Sequence, residues 1–333
     1  MIISWNSTNQ CNMFCDHCYR DSGVRSDQEL NTEEAKALLE EIKKAGFRIM
    51  IFSGGEPLMR DDLVELVAYA KSLGLRPVLG SNGTLLTPQL ATDLKEAGAM
   101  GIGISLDSIH PKKHDKLRQY QGAWEEAVNA MAICREVGLS FQIHTTVMDW
   151  NTPELEALTD FAIEQQAVAH HFFFLVPTGR GANIEDTSLR AAEYESVITR
   201  IMQKQKEVSI ELKPTCAPQF MRIARELDIE TRFGRGCLAG TAYCIISPTG
   251  KVQPCAYMDM EIGDVRQTPF SEIWQKSPVF QTLRSLEYSG YCGHCHYKKS
   301  CGGCRARAAY YHDGDYMAEE PWCLYRGGQK EVT

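Results

Sequence analysis

The 333-residue chain lacks any uninterrupted apolar run of about 18 residues, so a helix spanning a bilayer is not expected. Its start, Met1-Ile2-Ile3-Ser4-Trp5, has no basic region leading into an apolar stretch, and a secretory leader is not expected either. Positive charge is in deficit: 35 Lys and Arg face 43 Asp and Glu, for a net charge of -8. Phosphate backbones and anionic headgroups are bound largely through Lys and Arg, so neither nucleic acid nor membrane is an expected partner. Internal repeats, heptad runs and low-complexity tracts are missing, which removes solenoids and coiled coils from consideration. Cysteine itself is scarce through the middle of the sequence, where Cys134 stands alone between Cys18 and Cys216.

Thirteen cysteines are nevertheless present. The expected location is cytoplasmic, where thiols stay reduced, so metal binding is a better use for them than a disulfide framework. Cys11, Cys15 and Cys18 open the sequence, and nine more lie between Cys216 and Cys323. Hydrophobic residues at 44% and charged residues at 23% are ordinary for a globular protein and exclude disorder.

From Ile2 to about Val176, short apolar runs alternate with amphipathic stretches, the pattern of repeated βα units and a parallel sheet. Six strands are predicted, at Ile2-Trp5, Ile49-Ser53, Pro77-Ser81, Gly101-Leu106, Phe141-Val147 and His171-Leu175. Apolar residues at three and four spacing predict helices at Thr32-Lys44, Asp61-Ser72, Pro88-Glu96, Trp124-Glu136 and Pro153-Gln165. Thr32 and Thr152 read as the helix starts of the first and last of these. One more helix, Ala191-Lys206, and a strand, Ser209-Lys213, precede a change of texture at Cys216 to Gly, Pro, aromatic residues and Cys. The expected organisation is an α/β partial barrel of six βα units over residues 1–210, followed by a small cysteine-rich domain over 211–333.

A barrel of this kind carries chemistry at the C-terminal ends of its strands. Polar and glycine-rich residues collect there, in Cys11-Cys15-Cys18, Ser53-Gly54-Gly55-Glu56-Pro57, Ser81-Asn82-Gly83-Thr84, Ser105-Leu106-Asp107, His144-Thr145-Thr146 and Pro177-Thr178-Gly179-Arg180-Gly181. The three thiolates of Cys11-x3-Cys15-x2-Cys18 are one short of a closed tetrahedral or cubane site. In a 4Fe-4S cubane that deficit leaves one iron open to an outside ligand. On spacing alone, a zinc site completed by His17 is the alternative.

Cys-x3-Cys-x2-Cys followed by Tyr19, together with Gly54-Gly55-Glu56-Pro57 after the second strand, resembles the radical S-adenosylmethionine (SAM) superfamily across the whole barrel. The resemblance implies that SAM chelates the open iron and is cleaved by one electron to a 5′-deoxyadenosyl radical, which takes hydrogen from a substrate. It implies a SAM pocket built from Tyr19, Gly54, Gly55, Glu56, Ser81, Asn82, Ser105 and Asp107. In that pocket Gly54 and Gly55 let the backbone approach the methionine moiety, Glu56 faces its ammonium, and the Ser, Asn and Asp side chains serve ribose and carboxylate.

Cys237-x6-Cys244-x10-Cys255, with Gly250-x4-Cys255, then Cys292-x2-Cys295-x5-Cys301-x2-Cys304 and Cys323, resembles the SPASM extension of radical SAM proteins, which binds auxiliary 4Fe-4S clusters. The resemblance implies three clusters in all. Cys237, Cys244, Cys255 and Cys304 would hold one auxiliary cluster, and Cys292, Cys295, Cys301 and Cys323 the other. Cys301-x2-Cys304 departs from the family, which more often has three residues between. Paired Cys-x2-Cys in isolation also fits a zinc ribbon. Cys134 sits on the apolar side of a predicted helix, where cysteine serves as a small hydrophobe. Cys216, beside Pro214 and Pro218, is a candidate open ligand or proton donor at the active site, with plain packing as the alternative.

Within the superfamily, Trp5-Asn6, His17-Cys18-Tyr19-Arg20, Val176 to Gly181, Gly302 to Ala308 and Glu320-Pro321-Trp322-Cys323 resemble the NirJ, AhbC and AhbD group. That group alters acetate or propionate side chains of siroheme-derived iron tetrapyrroles in haem d1 and alternative haem biosynthesis. The resemblance implies a tetrapyrrole substrate and a reductant such as flavodoxin or ferredoxin. Arg20, Arg180, Arg305 and Arg307 are candidate partners for substrate carboxylates. An axial imidazole for the substrate iron is sought among His17, His144, His170, His171, His294 and His296. A peptide-modifying maturase and a non-catalytic electron carrier are the rival functions. Reduced, anaerobically reconstituted protein given SAM is expected to release 5′-deoxyadenosine, which an electron carrier does not; zinc in place of iron at Cys11, Cys15 and Cys18 would sink the assignment.

Overall fold

The protein is described by a computed structural model over residues 1–326. Ten strands form one sheet. They are β1 (Ile2–Asn6), β2 (Ile49–Ser53), β3 (Arg76–Ser81), β4 (Ile102–Ser105), β5 (Phe141–Val147), β6 (Ala169–Phe174), β7 (Glu211–Thr215), β8 (Tyr243–Ile246), β9 (Lys251–Gln253) and β10 (Gly263–Asp264). The spatial order is β10-β9-β8-β1-β2-β3-β4-β5-β6-β7. Strands β1 to β7 follow sequence order and pair in parallel, each pair bridged by at least one helix, as parallel pairing requires. The helices of this part are α1 (Thr32–Lys44), α2 (Leu63–Ser72), α3 (Pro88–Glu96), α4 (Pro111–Arg118), α5 (Ala123–Val137), α6 (Leu155–Glu164) and α7 (Ala191–Gln205). After them come α8 (Phe220–Glu226), α9 (Phe270–Lys276), α10 (Pro278–Ser285), α11 (Gly290–His294) and α12 (Arg305–Tyr311).

Alternation along the strands divides the sheet into two faces. Ile3, Trp5, Met50, Phe52, Ile102, Ile104, Phe141, Ile143, Phe172 and Phe174 join one buried core with the apolar faces of the helices. The alternate positions carry Ser4, Asn6, Ser53, Gly103, Ser105, His144, His171 and Lys213, and this polar face is where the site forms.

The C-terminal part is not a separate bead. Position 210 falls just ahead of β7, which continues the sheet beside β6. Strand β8 pairs in parallel with β1, Ile2 opposite Tyr243 and Trp5 opposite Ile246, so the first strand has a partner on each side. Helix α9 docks on α1: Trp274 packs edge-on against Phe47 at 4.8 Å, and Arg266 makes a two-pronged pair with Glu34 at 2.7 and 2.9 Å.

Helix α1 begins at Thr32 as the sequence reading has it, but its capping residue and the start of α6 differ. Asn31, not Thr32, caps α1. Its side chain accepts from the Glu34 amide while Glu34 reaches back to the Asn31 amide, a reciprocal capping box. The Thr32 hydroxyl instead donates to Asp62. Around Thr152 the backbone makes a 3-10 turn, Asp149–Glu154, that absorbs Pro153, and α6 begins at Leu155. The Arg266 guanidinium is the main influence that holds the Glu34 carboxyl down at about 2, so one carboxylate serves both the cap and the docking of the C-terminal part. Asn31→Ala is expected to cost about 1 kcal/mol, read as a lower urea midpoint with an unchanged slope.

Candidate cluster and cofactor site

The loop that leaves β1 is fastened to the loop that leaves β2. Ser7 N–H donates to the Ser53 carbonyl (2.7 Å), Gly55 N–H to Thr8 (2.8 Å) and Glu56 N–H to Gln10 (2.8 Å). A β-carbon at Gly55 would collide with the Gln10 carbonyl, and one at Gly54 would stand 2.5 Å from the Thr8 carbonyl. These glycines therefore admit the protein's own neighbouring backbone. Glu29 secures the loop from the other side, accepting from the Asn9 amide (2.7 Å) and the Thr8 hydroxyl (3.1 Å).

This fastening brings Cys11, Cys15 and Cys18 into one patch with Met13, Tyr120 and Ala123. Burial, reinforced by Glu56 and the other two thiols, pushes the Cys11 thiol up to about 11. Metal coordination overcomes that penalty by displacing the thiol protons to solvent. His17 turns elsewhere. Its charged neighbours are Asp107, Arg118, His114 and Arg180, and burial holds its imidazole down at about 4. Among the described residues no three Cys, His, Asp or Glu side chains converge tightly enough for a single metal ion. The backbone also fits a cluster: Met13 N–H points at Cys11 Sγ, Tyr297 N–H at Cys295 Sγ and Gly303 N–H at Cys301 Sγ, at 3.4 to 3.5 Å. Hydrogen bonds of this kind to sulfur tune iron-sulfur centres.

Helix α4 was not foreseen, and it supplies the charge beside the thiols. Arg118 Nε and Nη2 grip Asp107 Oδ2 at 2.8 and 2.7 Å, while Thr146 N–H donates to Oδ1 at 2.8 Å. Burial alone would raise the Asp107 carboxyl; Arg118, His17 and His114 override it and hold it well below the usual carboxylate range. Asp107 is thus paired with Arg118. Arg118 in turn lies close enough to Cys15 and Cys11 to favour their thiolates. A signal was available in the sequence: Pro111 followed by Leu117 and Arg118 is a short helix with proline in its first turn.

The remaining pocket candidates divide. Glu56 is held by three hydrogen bonds: Oε1 accepts from Leu58 N–H (3.1 Å) and Ser81 Oγ (2.8 Å), and Oε2 from Asn82 N–H (2.8 Å). Burial raises its carboxyl to about 7 in spite of these bonds. Ser81 is occupied by that contact. The Asn82 side chain joins Asn12 and Thr84 in a network that ties the β3 loop to the cysteine loop. Ser105 stays on the polar face with one long bond, 3.3 Å, to the Ser81 carbonyl. Tyr19 donates to Asn6 Oδ1 at 2.8 Å and packs on Tyr257 at 5.4 Å.

The C-terminal thiols form two groups. Cys292, Cys295, Cys301 and Cys323 are neighbours, each within electrostatic reach of another of the four. Cys237, Cys255 and Cys304 are likewise close together. Cys244 does not join them, contrary to the sequence reading. It lies fully buried on β8 in the hydrophobic core with Ile3 and Ile246, on the face opposite Tyr243, whose hydroxyl reaches across to Ser4 Oγ at 3.1 Å. Cys134 is also a core residue, as expected.

Three of the candidate arginines are structural. Arg180 straps the cysteine loop by donating to the carbonyls of Cys15 (3.0 Å) and Ser22 (2.8 Å) and stacks over Phe14. Arg305 donates to the carbonyls of Ala318 and Tyr316, and Arg307 to Glu320, Tyr194 and the Cys216 carbonyl. Arg20 differs, for its Nε is buried without a partner, as are Asn6 Nδ2 and Thr178 Oγ1. The loop holding Thr178 crosses Tyr19 and Arg20 so closely that a β-carbon at Gly179 would stand 2.6 Å from the Arg20 amide nitrogen.

His144 and His171 stack on the polar face with ring centroids 5.5 Å apart and planes 7° from parallel, and Phe173 lies 5.0 Å from His144. Gly103 makes the room, since any larger residue there would strike the His144 ring. Burial, then the neighbouring imidazoles, keeps His144 far below its ordinary value and therefore neutral. His170 points the other way, between the hydroxyls of Thr145 and Thr159. Lys213 on β7 adds a half-buried ammonium that sequence reading overlooked, because a lone lysine in a strand carries no motif.

Residues 5–162 match the family model described as the radical SAM superfamily, and residues 237–304 match SPASM, an iron-sulfur cluster-binding domain. The chain is 44% identical to an AdoMet-dependent heme synthase of Nitratidesulfovibrio vulgaris, covering 98% of this chain and 92% of that protein. It is 29% identical to a pre-heme d1 synthase of Dinoroseobacter shibae over 97% and 85% of the two. Among solved structures, Streptococcus suis SuiB bound to its precursor peptide superposes with a TM-score of 0.77 at 17% identity, covering 97% of this chain and 75% of that one. Asp107→Asn is expected to destabilise the fold by about 3–5 kcal/mol at neutral pH, because it leaves Arg118 buried and unpaired. Since the native carboxyl is depressed, this gap holds above the ordinary value of 3.8 and closes only as pH falls through the native one; urea midpoints across pH check it.

Proposed function

The chain belongs to the radical SAM superfamily and carries its SPASM iron-sulfur domain, and from that membership we propose that it acts on the acetate or propionate side chains of an iron tetrapyrrole in alternative haem biosynthesis. The observation that carries this is the 44% identity, over nearly the full length of both proteins, with a protein named AdoMet-dependent heme synthase. The 29% identity with a pre-heme d1 synthase makes a haem d1 step the second reading. SAM and 4Fe-4S clusters follow from the family. The proposed number of clusters is three, one for each group of thiols, with Cys11, Cys15 and Cys18 holding the one that takes SAM. A flavodoxin or ferredoxin supplies electrons, and the cytoplasm is the proposed location; among the described residues no helix is long and apolar enough to cross a membrane.

When bound, SAM on the three-thiolate cluster supplies a 5′-deoxyadenosyl radical, which breaks an unactivated acetate or propionate C–H bond that no acid or base in a protein can. The protein's own residues bind and orient. His144 offers a neutral imidazole to the substrate iron once its Nε2 gives up the Gln142 side-chain amide that lies 2.6 Å away, and His171 and Phe173 hold that ring in place. Arg20 and Lys213 offer cationic groups to the substrate carboxylates. Tyr19 and Tyr257 wall the space between the first thiols and the C-terminal part and exclude water.

Titration of the full-length protein under nitrogen with iron coproporphyrin III, followed by absorbance, is expected to saturate at one equivalent. His144→Ala is expected to weaken binding about tenfold or more. Because the His144 imidazole is held below 6.5, affinity is expected to stay flat as pH falls to that value and to drop only below it. Turnover of a peptide with no spectral response to the tetrapyrrole would overturn the reading.

A further inference from the structure

We propose that Cys216, and not Cys244, completes the auxiliary cluster at the join between the barrel and the C-terminal part, so that Cys216, Cys237, Cys255 and Cys304 ligate it together. The proposal rests on the iron-sulfur reading of the SPASM domain and changes one of the four ligands that the sequence pattern implied.

Cys216 follows β7 directly and holds a left-handed backbone, φ 60°, which a residue with a β-carbon adopts only when its surroundings impose it. The imposition is visible. The Cys216 carbonyl accepts from Tyr194 Oη (3.1 Å) and Arg307 Nη2 (2.9 Å), and both of those residues are fully buried. Arg307 is paired with Glu320 at 3.2 Å, and Glu320 Oε2 accepts the Cys304 N–H at 2.6 Å. One buried ion pair thus fixes the backbone of Cys216 and the backbone of Cys304 at the same time. The thiols meet as well: Cys216 and Cys255 pack with Cys304, Met258 and Tyr257 in a small cluster beside the main core, which Cys216 also touches. Cys237 is held beside them, its amide donating to the carbonyl of Cys301 at 3.0 Å, three residues ahead of Cys304.

Cys244 meets none of these conditions. It is seated in the main core behind β8, and the one charged group near it is Arg284, which stacks on Trp274. Moving Cys244 to the cluster would require β8 to slip by one residue against β1, and that would turn Ile246 out of the core as well. With Cys216 as fourth ligand every iron of this cluster has a protein thiolate. The cluster then leaves no corner open to substrate and ties the end of β7 to the C-terminal part.

The test uses the full-length protein reconstituted under nitrogen, with Cys216→Ala, Cys216→Ser, Cys244→Ala and Cys237→Ala variants. Iron and acid-labile sulfide per molecule and low-temperature EPR of the reduced proteins are measured. Cys244→Ala is expected to match the unaltered protein. Cys216→Ala is expected to lose the EPR component that Cys237→Ala loses, with a fall in iron of about four atoms, one cubane, and Cys216→Ser to lose or shift that same component. Should Cys216→Ala fail to fold, Cys216→Ser and Cys244→Ala decide. Loss of that component in Cys244→Ala, or its persistence unchanged in a folded Cys216 variant, overturns the proposal. An unaltered protein that takes up iron at the first three thiols only overturns this proposal together with the auxiliary clusters beneath it, whereas 5′-deoxyadenosine formation reports separately on the first site.

Discussion

The approach of two stretches of backbone, Thr8 to Gln10 and Gly54 to Glu56, governs the site. Hydrogen bonds of 2.8 Å from Gly55 and Glu56 can form only because no β-carbon stands between the segments. Cys11, Cys15 and Cys18 are carried on the segment so fixed, and the carboxylate of Glu56 extends the same grip to Ser81 and Asn82. Three successive strand ends are thereby set against one another before any ligand is considered. A pocket assembled in this way is preorganised by backbone, the part of a protein least able to relax.

Electrostatics complete what the backbone begins. Three thiolates and a buried carboxylate in one region would repel, and Arg118 stands between them, bound to Asp107 and near Cys15 and Cys11. The pair contributes little to stability in itself, since desolvation offsets much of its attraction. Its importance lies in placing a permanent positive charge behind the cluster loop. On the other side, Tyr19 leans on Tyr257, and Tyr257 borders the thiols of Cys216 and Cys255. Two aromatic rings therefore span the distance between the first thiol group and the group at the join.

Most of the framework was legible in the sequence, because strands and helices of the barrel show their periods plainly. Thr32 to Lys44 and Pro88 to Glu96 fall where apolar spacing put them. The gathering of chemistry on one rim was legible for the same reason. Hydrogen-bond partners were not. Asp107 after a strand looks the same in one dimension whether it faces a sugar or an arginine eleven residues on, and the spacing of Cys244 says nothing of which face of β8 it occupies. Arg180, Arg305 and Arg307 were read as anion binders from their chemistry, but carbonyl oxygens satisfy a guanidinium equally well, and only the fold shows that they do so here. Caps miss by a residue where two candidates adjoin, as at Asn31 and Thr32, since local sequence does not say which of the two a distant Asp62 will claim.

The pairing of β8 with β1 carries a consequence for biosynthesis. Strand β1 leaves the ribosome long before β8 and keeps one flank of amide and carbonyl groups bare until residues 243–246 have been made. Contacts of such sequence separation form slowly, and an open strand edge invites association with other polypeptides in the interval. The cysteine loop hangs from that same strand, although its hydrogen bonds to Gly55 and Glu56 lie within the first 56 residues. The outer flank of β1 is therefore the last support of that loop's strand to be covered as the chain is made.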